Sequence, residues 1–226
     1  MVHRLSHHKH FNQEESIAYF RKFRSHFMVL FAIPGLLGLW ISLDPATKES
    51  SQWALSLLYY SSLAALLMLV IALLIKPIRV FSGRLGINLY RAPALYYAAA
   101  YASAFALIWF WANINHHALL AQANLSFSLY ALLAMASWLI LIVLAISASS
   151  LMIRKIGKAW HLLQWLFYAG CVAWLVHVCV DFELSAADIG LCAVCVLLLA
   201  WHAGYAIWQQ QKQQKTLANI KPPTKE

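Results

Sequence analysis

Residues 154–177 read RKIGKAWHLLQWLFYAGCVAWLVH. Three cations, Arg154, Lys155 and Lys158, lead into a long apolar run that carries His161, Gln164 and His177. A basic loop feeding about 20 apolar residues is the pattern of a membrane-crossing helix. An ionisable side chain inside a bilayer costs about 3 kcal/mol or more, so one that is kept there is a functional candidate by default. This stretch therefore sets the fold class and nominates His177.

The same pattern extends to both sides. Apolar segments occupy 26–43, 52–75, 93–113, 125–147, 160–180 and 186–208. The 226 residues are 62% hydrophobic and only 11% charged, with mean hydropathy +0.66, a composition unlike an ordinary soluble domain. The expected fold is all-α, a polytopic six-helix transmembrane bundle forming one domain over 26–208. A basic segment, 1–25, precedes it. A polar tail, 209–226, with Gln209-Gln210-Gln211 and Pro222-Pro223, follows and reads as a frayed helix end leading into disorder. A cleaved signal peptide is not expected, because the amino end stays polar through Arg24 and no small-residue cleavage pattern follows the first apolar segment.

Charge sets the expected orientation. Sixteen of the 17 basic residues fall before the first segment, around 76–91, at 154–158 or after 208, all on one side of a six-crossing path. Lys48, the exception, stands between Asp44 and Glu49, and the remaining loops on its side carry no charge or Asp181, Glu183 and Asp188. Both termini are expected in the cytoplasm. The net charge of +9 is then a topology signal, with the lipid bilayer and not a nucleic acid as the partner.

Several local features carry further expectations. Residues 1–25 hold His3, His7, His8 and His10, and Phe20, Phe23 and Phe27 recur beside Arg21, Lys22 and Arg24, as in an amphipathic helix lying on an anionic leaflet. The competing reading is a disordered basic tail. Pro34-Gly35 and Gly38 predict a kink and a tight helix contact. Pro93 suits the first turn of the third helix, and the small residues of 98–104 allow close approach of a neighbouring helix or of a flat cofactor. Cys192 and Cys195 have zinc or redox spacing, but with Cys171 and Cys179 they fall in or near apolar helices, where cysteine is expected as a packing residue.

Depth follows from sequence position. His161 belongs at the inner interface and His177 roughly 24 Å farther out, at about 1.5 Å per residue. The two cannot share one metal ion. His202, near the inner end of the sixth helix, is expected near the depth of His161. Imidazole ligates haem iron, and a haem between transmembrane helices takes an axial nitrogen from each of two helices. His177, His161 and His202 are thus the cofactor-binding candidates, with His177 the candidate iron ligand. Asp181, one turn beyond His177, is placed to orient its ring or simply to face water. His116 and His117 lie in an uncharged outer loop. No phosphate-binding glycine loop, His-Glu-x-x-His motif or nucleophile elbow occurs, and the spans lack the acids of a proton-coupled transporter apart from Asp188 at an edge.

Two stretches carry a family resemblance. Residues 75–83, Ile75-Lys76-Pro77-Ile78-Arg79-Val80-Phe81-Ser82-Gly83, with Arg91 beyond, resemble the inner loop of the MsrQ (YedZ) family of ferric-reductase-like transmembrane proteins. Residues 154–168, Arg154 to Tyr168, are similar to that family's R-x-L-G-x-x-W-x-x-L-H-x-x-x-Y motif. The resemblance spans roughly 52–181. It implies a membrane subunit binding haem b, with FMN reported in the family, that passes electrons from a quinol or flavin donor to a periplasmic molybdopterin reductase repairing oxidised methionine. The family's histidine on helix three aligns with Ala104 or Phe105, and its first histidine on helix five aligns with Gln164. Its second aligns with His177. Two readings stay open: a haem-binding electron-transfer subunit, with His161 and His202 as a further pair at the inner face, or a haem-free scaffold that keeps the six helices.

Overall fold

The structure, a computed structural model, describes residues 26, 28–40, 52–83, 87, 90–115, 129–148 and 160–219. All regular structure among the described residues is helical. Six helices follow in order: α1 Met28–Trp40, α2 Gln52–Ser82, α3 Arg91–Asn115, α4 Leu129–Ser147, α5 Trp160–Asp181 and α6 Ala186–Asn219. Each matches one of the six apolar segments. Three of them, α2, α3 and α6, contain stretches long and apolar enough to cross a membrane. The basic segment 1–25 and the loop bearing His116 and His117 lie outside the described residues.

Helix ends differ from expectation in two places. α2 runs past residue 75, through Pro77 to Ser82, although the proline has no N–H for the helical ladder. It stops at Gly83, whose φ of +67° is the left-handed conformation of a glycine cap, and the Gly83 amide donates to Arg79 O at 3.0 Å. α6 extends to Asn219, well beyond the expected end at 208. The Gln and Lys residues of 209–215 are good helix formers, and local bonds hold them: Gln209 Nε2 to Tyr205 Oη at 2.7 Å and Thr216 Oγ1 to Lys212 O at 3.0 Å.

α2 is the central element. Its most extensive contact is with α3, and it also packs on α5 and α6, while α4 lies against α3 and α5. The alanines of α3 explain the closeness: Ala94, Ala98, Ala99, Ala102 and Ala106 are all buried, and small side chains let two backbones approach. Hydroxyls and indoles join the helices. Trp174 Nε1 donates to Ser62 O at 3.1 Å, Trp138 Nε1 to Ser103 Oγ at 3.0 Å and Ser137 Oγ to Gly170 O at 3.1 Å. Meanwhile Val29, Leu36, Trp40, Leu107, Ile114, Ile146, Trp165 and Leu197 are exposed on the outside of the bundle. Helices apolar on both their inner and outer faces suit a hydrocarbon surround.

α1 docks as its glycines imply. The Tyr101 hydroxyl donates to Phe31 O at 2.6 Å and accepts from Gly35 N at 3.2 Å, so it sits between two backbone groups one turn apart beside Pro34. A Cβ on Gly35 would overlap the Tyr101 ring, and one on Gly38 would come within 2.8 Å of Tyr60 Cβ.

Candidate functional site

His177 lies near the carboxyl end of α5 and is completely buried. Three rings enclose it edge-on: Phe105 of α3 with centroids 4.9 Å apart, Trp174 one turn earlier on α5 at 5.6 Å, and Phe182 just past the helix end at 5.6 Å. Phe105 and Trp174 also touch each other, at 5.6 Å. The Trp174 indole is held by Ser62 of α2, so the imidazole is packed from three helices' worth of structure. Edge-to-face aromatic pairs contribute about 0.5–1.5 kcal/mol beyond area burial.

A polar latch closes the same end of the bundle. Ser185 and Asp188 form a capping box at the start of α6: Ser185 N donates to Asp188 Oδ2 at 3.0 Å and Asp188 N donates to Ser185 Oγ at 3.4 Å. The Ser185 hydroxyl adds a bond to the same carboxylate oxygen at 2.6 Å. Tyr59 of α2 donates its hydroxyl to that oxygen as well, and the Tyr59 ring packs on Phe182 at 5.4 Å. Phe182 is therefore shared between the latch and the histidine cage.

The other candidates fall elsewhere. His202 is buried on α6, its Nδ1 2.8 Å from Leu198 O, between Tyr168 at 5.4 Å and Trp201 at 5.1 Å. Tyr168 and His177 are nine residues apart on α5, so the layer of His202 lies about 13 Å from that of His177 along the helix, at 1.5 Å per residue. These two imidazoles cannot flank one iron. The side chains of His161, Gln164 and Asp181 lie outside the described residues. Tyr168, which His202 touches, stands two turns along α5 from His161. Among the described residues no group of three or more His, Cys, Asp or Glu side chains is arranged to hold a metal ion, and the four cysteines are free thiols, with Cys171, Cys192 and Cys195 buried.

Sequence reasoning located His177 and left Ala104 or Phe105 opposite it. Ala104 is half-buried, whereas Phe105 is fully buried and is the residue in contact with the imidazole. Phe182, Tyr59 and the latch were missed. The Ser185-x-x-Asp188 spacing could have revealed the cap, but nothing in the sequence pairs Tyr59 with a residue 129 positions away.

Fold and site together define a polytopic helical protein of membrane type with a buried, aromatic-caged histidine in its bundle. The chain is 25% identical over 163 residues, 72% of its own length, to a protein of Xanthomonas campestris pv. campestris strain 8004 named protein-methionine-sulfoxide reductase heme-binding subunit MsrQ. The aligned region covers 73% of that relative. The protein of the same name from strain ATCC 33913 is similar to the same extent. No family model matches the chain, and no solved structure matches it.

Proposed function

We propose that this protein is the membrane subunit of an oxidoreductase system, similar in role to the MsrQ subunits. It would pass electrons across the bacterial inner membrane from a quinol or flavin donor to a periplasmic molybdopterin reductase. The observation that carries this reading is His177: a wholly buried imidazole on α5, at the position where the resemblance requires a haem ligand. The orientation proposed with it puts both termini and the cations of 76–91 and 154–158 in the cytoplasm, and the Ser185–Asp188 latch at the outer face.

The described residues do not fit a haem held between two imidazoles. Such a haem needs a second nitrogen donor across a flat macrocycle, and the residue facing His177 is Phe105, in ring contact at 4.9 Å. A phenyl ring has no lone pair to offer, and contact at that distance leaves no gap for a macrocycle. What the residues do instead is fix the imidazole ring and keep water from it. This mismatch favours a second reading, in which the chain keeps the six-helix scaffold and its partner contacts without haem.

One preparation separates the two. The protein is expressed with ample haem, purified, and assayed by Soret absorbance and the pyridine haemochrome reaction, beside His177→Ala. Electron transfer through the bundle requires about one haem per chain in the wild type and its loss in the variant. A wild type without a haemochrome signal, folded and unchanged in spectrum by His177→Ala, overturns the electron-transfer reading and leaves the scaffold.

A further inference from the structure

We infer that the opposite end of the bundle, where α2 ends and α3 begins, binds the phosphate of an anionic phospholipid through Lys76 and Arg91. This site is separate from the His177 cage and does not rest on the function proposed above.

Both side chains are only half-buried, yet each is pressed against a ring and not extended into solvent. The Lys76 Nζ stands 5.2 Å from the Tyr205 ring centroid on α6, and the Arg91 Cζ 5.4 Å from that of Phe167 on α5. The two cations are within electrostatic reach of each other, and Lys76 is also within reach of Arg79. Both act on buried His202. Among the described residues neither Lys76 nor Arg91 meets a carboxylate: Asp188 belongs to the latch at the far end, and Glu183 lies in the turn just before it. Like charges gathered from separate helices repel, and partly desolvated ones do so more strongly than in water. An anion seated between them reverses the sign of that interaction. Arginine and lysine are the usual phosphate donors, as a fork and a point charge respectively.

The surroundings select a lipid over a free anion. Trp201 and Tyr205 stack at 5.2 Å with their planes 13° apart, Phe81 lies 6.3 Å from Trp201, and Lys212 covers Trp208 at 5.5 Å. Tryptophan and tyrosine beside lysine are the residues of a membrane interface. Phe81 is 79% exposed, with Ile78 and Val80 also exposed on α2 and Ile207 and Trp208 exposed on α6, apolar surface with which acyl chains can pack. An inorganic anion has no use for that surface.

The test uses the full-length protein, delipidated in a neutral detergent. Phosphatidylglycerol, phosphatidylcholine or inorganic phosphate is added, thermal midpoints are followed by tryptophan fluorescence, and bound lipid is counted by native mass spectrometry. Phosphatidylglycerol is expected to raise the midpoint above phosphatidylcholine at equal mole fraction, with phosphate ineffective. At about 1 kcal/mol per basic residue near a charged surface, Lys76→Gln is expected to weaken phosphatidylglycerol binding about fivefold. The charge-preserving Lys76→Arg/Arg91→Lys pair is expected to retain it, which separates charge from packing should Arg91→Gln fail to fold. Equal responses to the two lipids, an equal response to inorganic phosphate, or undiminished binding by Lys76→Gln overturns the proposal.

Discussion

Phe105 decides how His177 is used. The imidazole has no exposure to solvent, and the nearest ring in its cage belongs to α3, the helix from which a second imidazole would come in the resembling family. Exchanging that one residue therefore tests the cage directly. Phe105→His supplies a nitrogen donor but keeps a ring at the same place, so it is expected to leave haem content per chain at the wild-type level, measured by haemochrome assay and difference spectra. A raised content with the sharp reduced bands of two axial imidazoles would mean that α3 and α5 part to admit a macrocycle. Phe105→Ala tests the packing itself: large-to-small changes in a core cost about 3–5 kcal/mol for phenylalanine, so a marked fall in thermal midpoint is expected. His177 itself was legible in the sequence, because an ionisable residue in an apolar run stands out by itself. Its cage was not, because Phe105 is an unremarkable apolar residue until the fold brings α3 across α5.

Single elements are held by devices the sequence announces unequally. Gly35 and Gly38 mark a tight contact from the sequence alone, and both face tyrosines across a helix interface. Gly35→Val is expected to displace α1 from Tyr101 and lower the thermal midpoint. Tyr101→Phe removes only the hydroxyl bridge to Phe31 and Gly35, and is expected to cost about 1 kcal/mol, the net value of an ordinary hydrogen bond. If the two variants lose equal stability, the bridge and not the close approach holds α1. The α6 latch behaves in the same local way: Ser185→Ala removes the cap hydroxyl, with an expected loss of about 0.5–2 kcal/mol. Helix bounds were legible within two residues at the starts of α2, α3, α5 and α6, but α2 runs on past 75, through Lys76 and Arg79, to Ser82. Bounds were not legible where polar residues continued a helix: α6 carries its Gln and Lys residues as far as Asn219, because helix propensity persists after hydrophobicity has ended.

Taken whole, the molecule has two chemically distinct ends, and the distinction makes the proposed topology testable. At one end are Lys76, Arg79 and Arg91 with Tyr205 and Trp201; at the other are Asp188, Ser185 and Tyr59. Cations gather on the cytoplasmic side of a membrane and acids carry little orienting weight, so the proposed orientation puts the Lys76 end inside. Length alone qualifies α2, α3 and α6 as crossings. Three crossings would place the termini on opposite sides, whereas six place them together, so parity is the measurable quantity. A fluorescent-protein fusion after residue 226 is expected to fluoresce, as is one at the amino terminus. Alkaline phosphatase inserted within 116–124 or beside Glu183 is expected to be active. Phosphatase inserted at 84–89 or 154–158 is expected to be silent. Activity at 154–158 would mean that α4 does not cross, and a terminal fusion that goes dark while the other fluoresces would mean an odd number of crossings. Either result would place the His177 cage and the Lys76 site at depths other than those argued from charge.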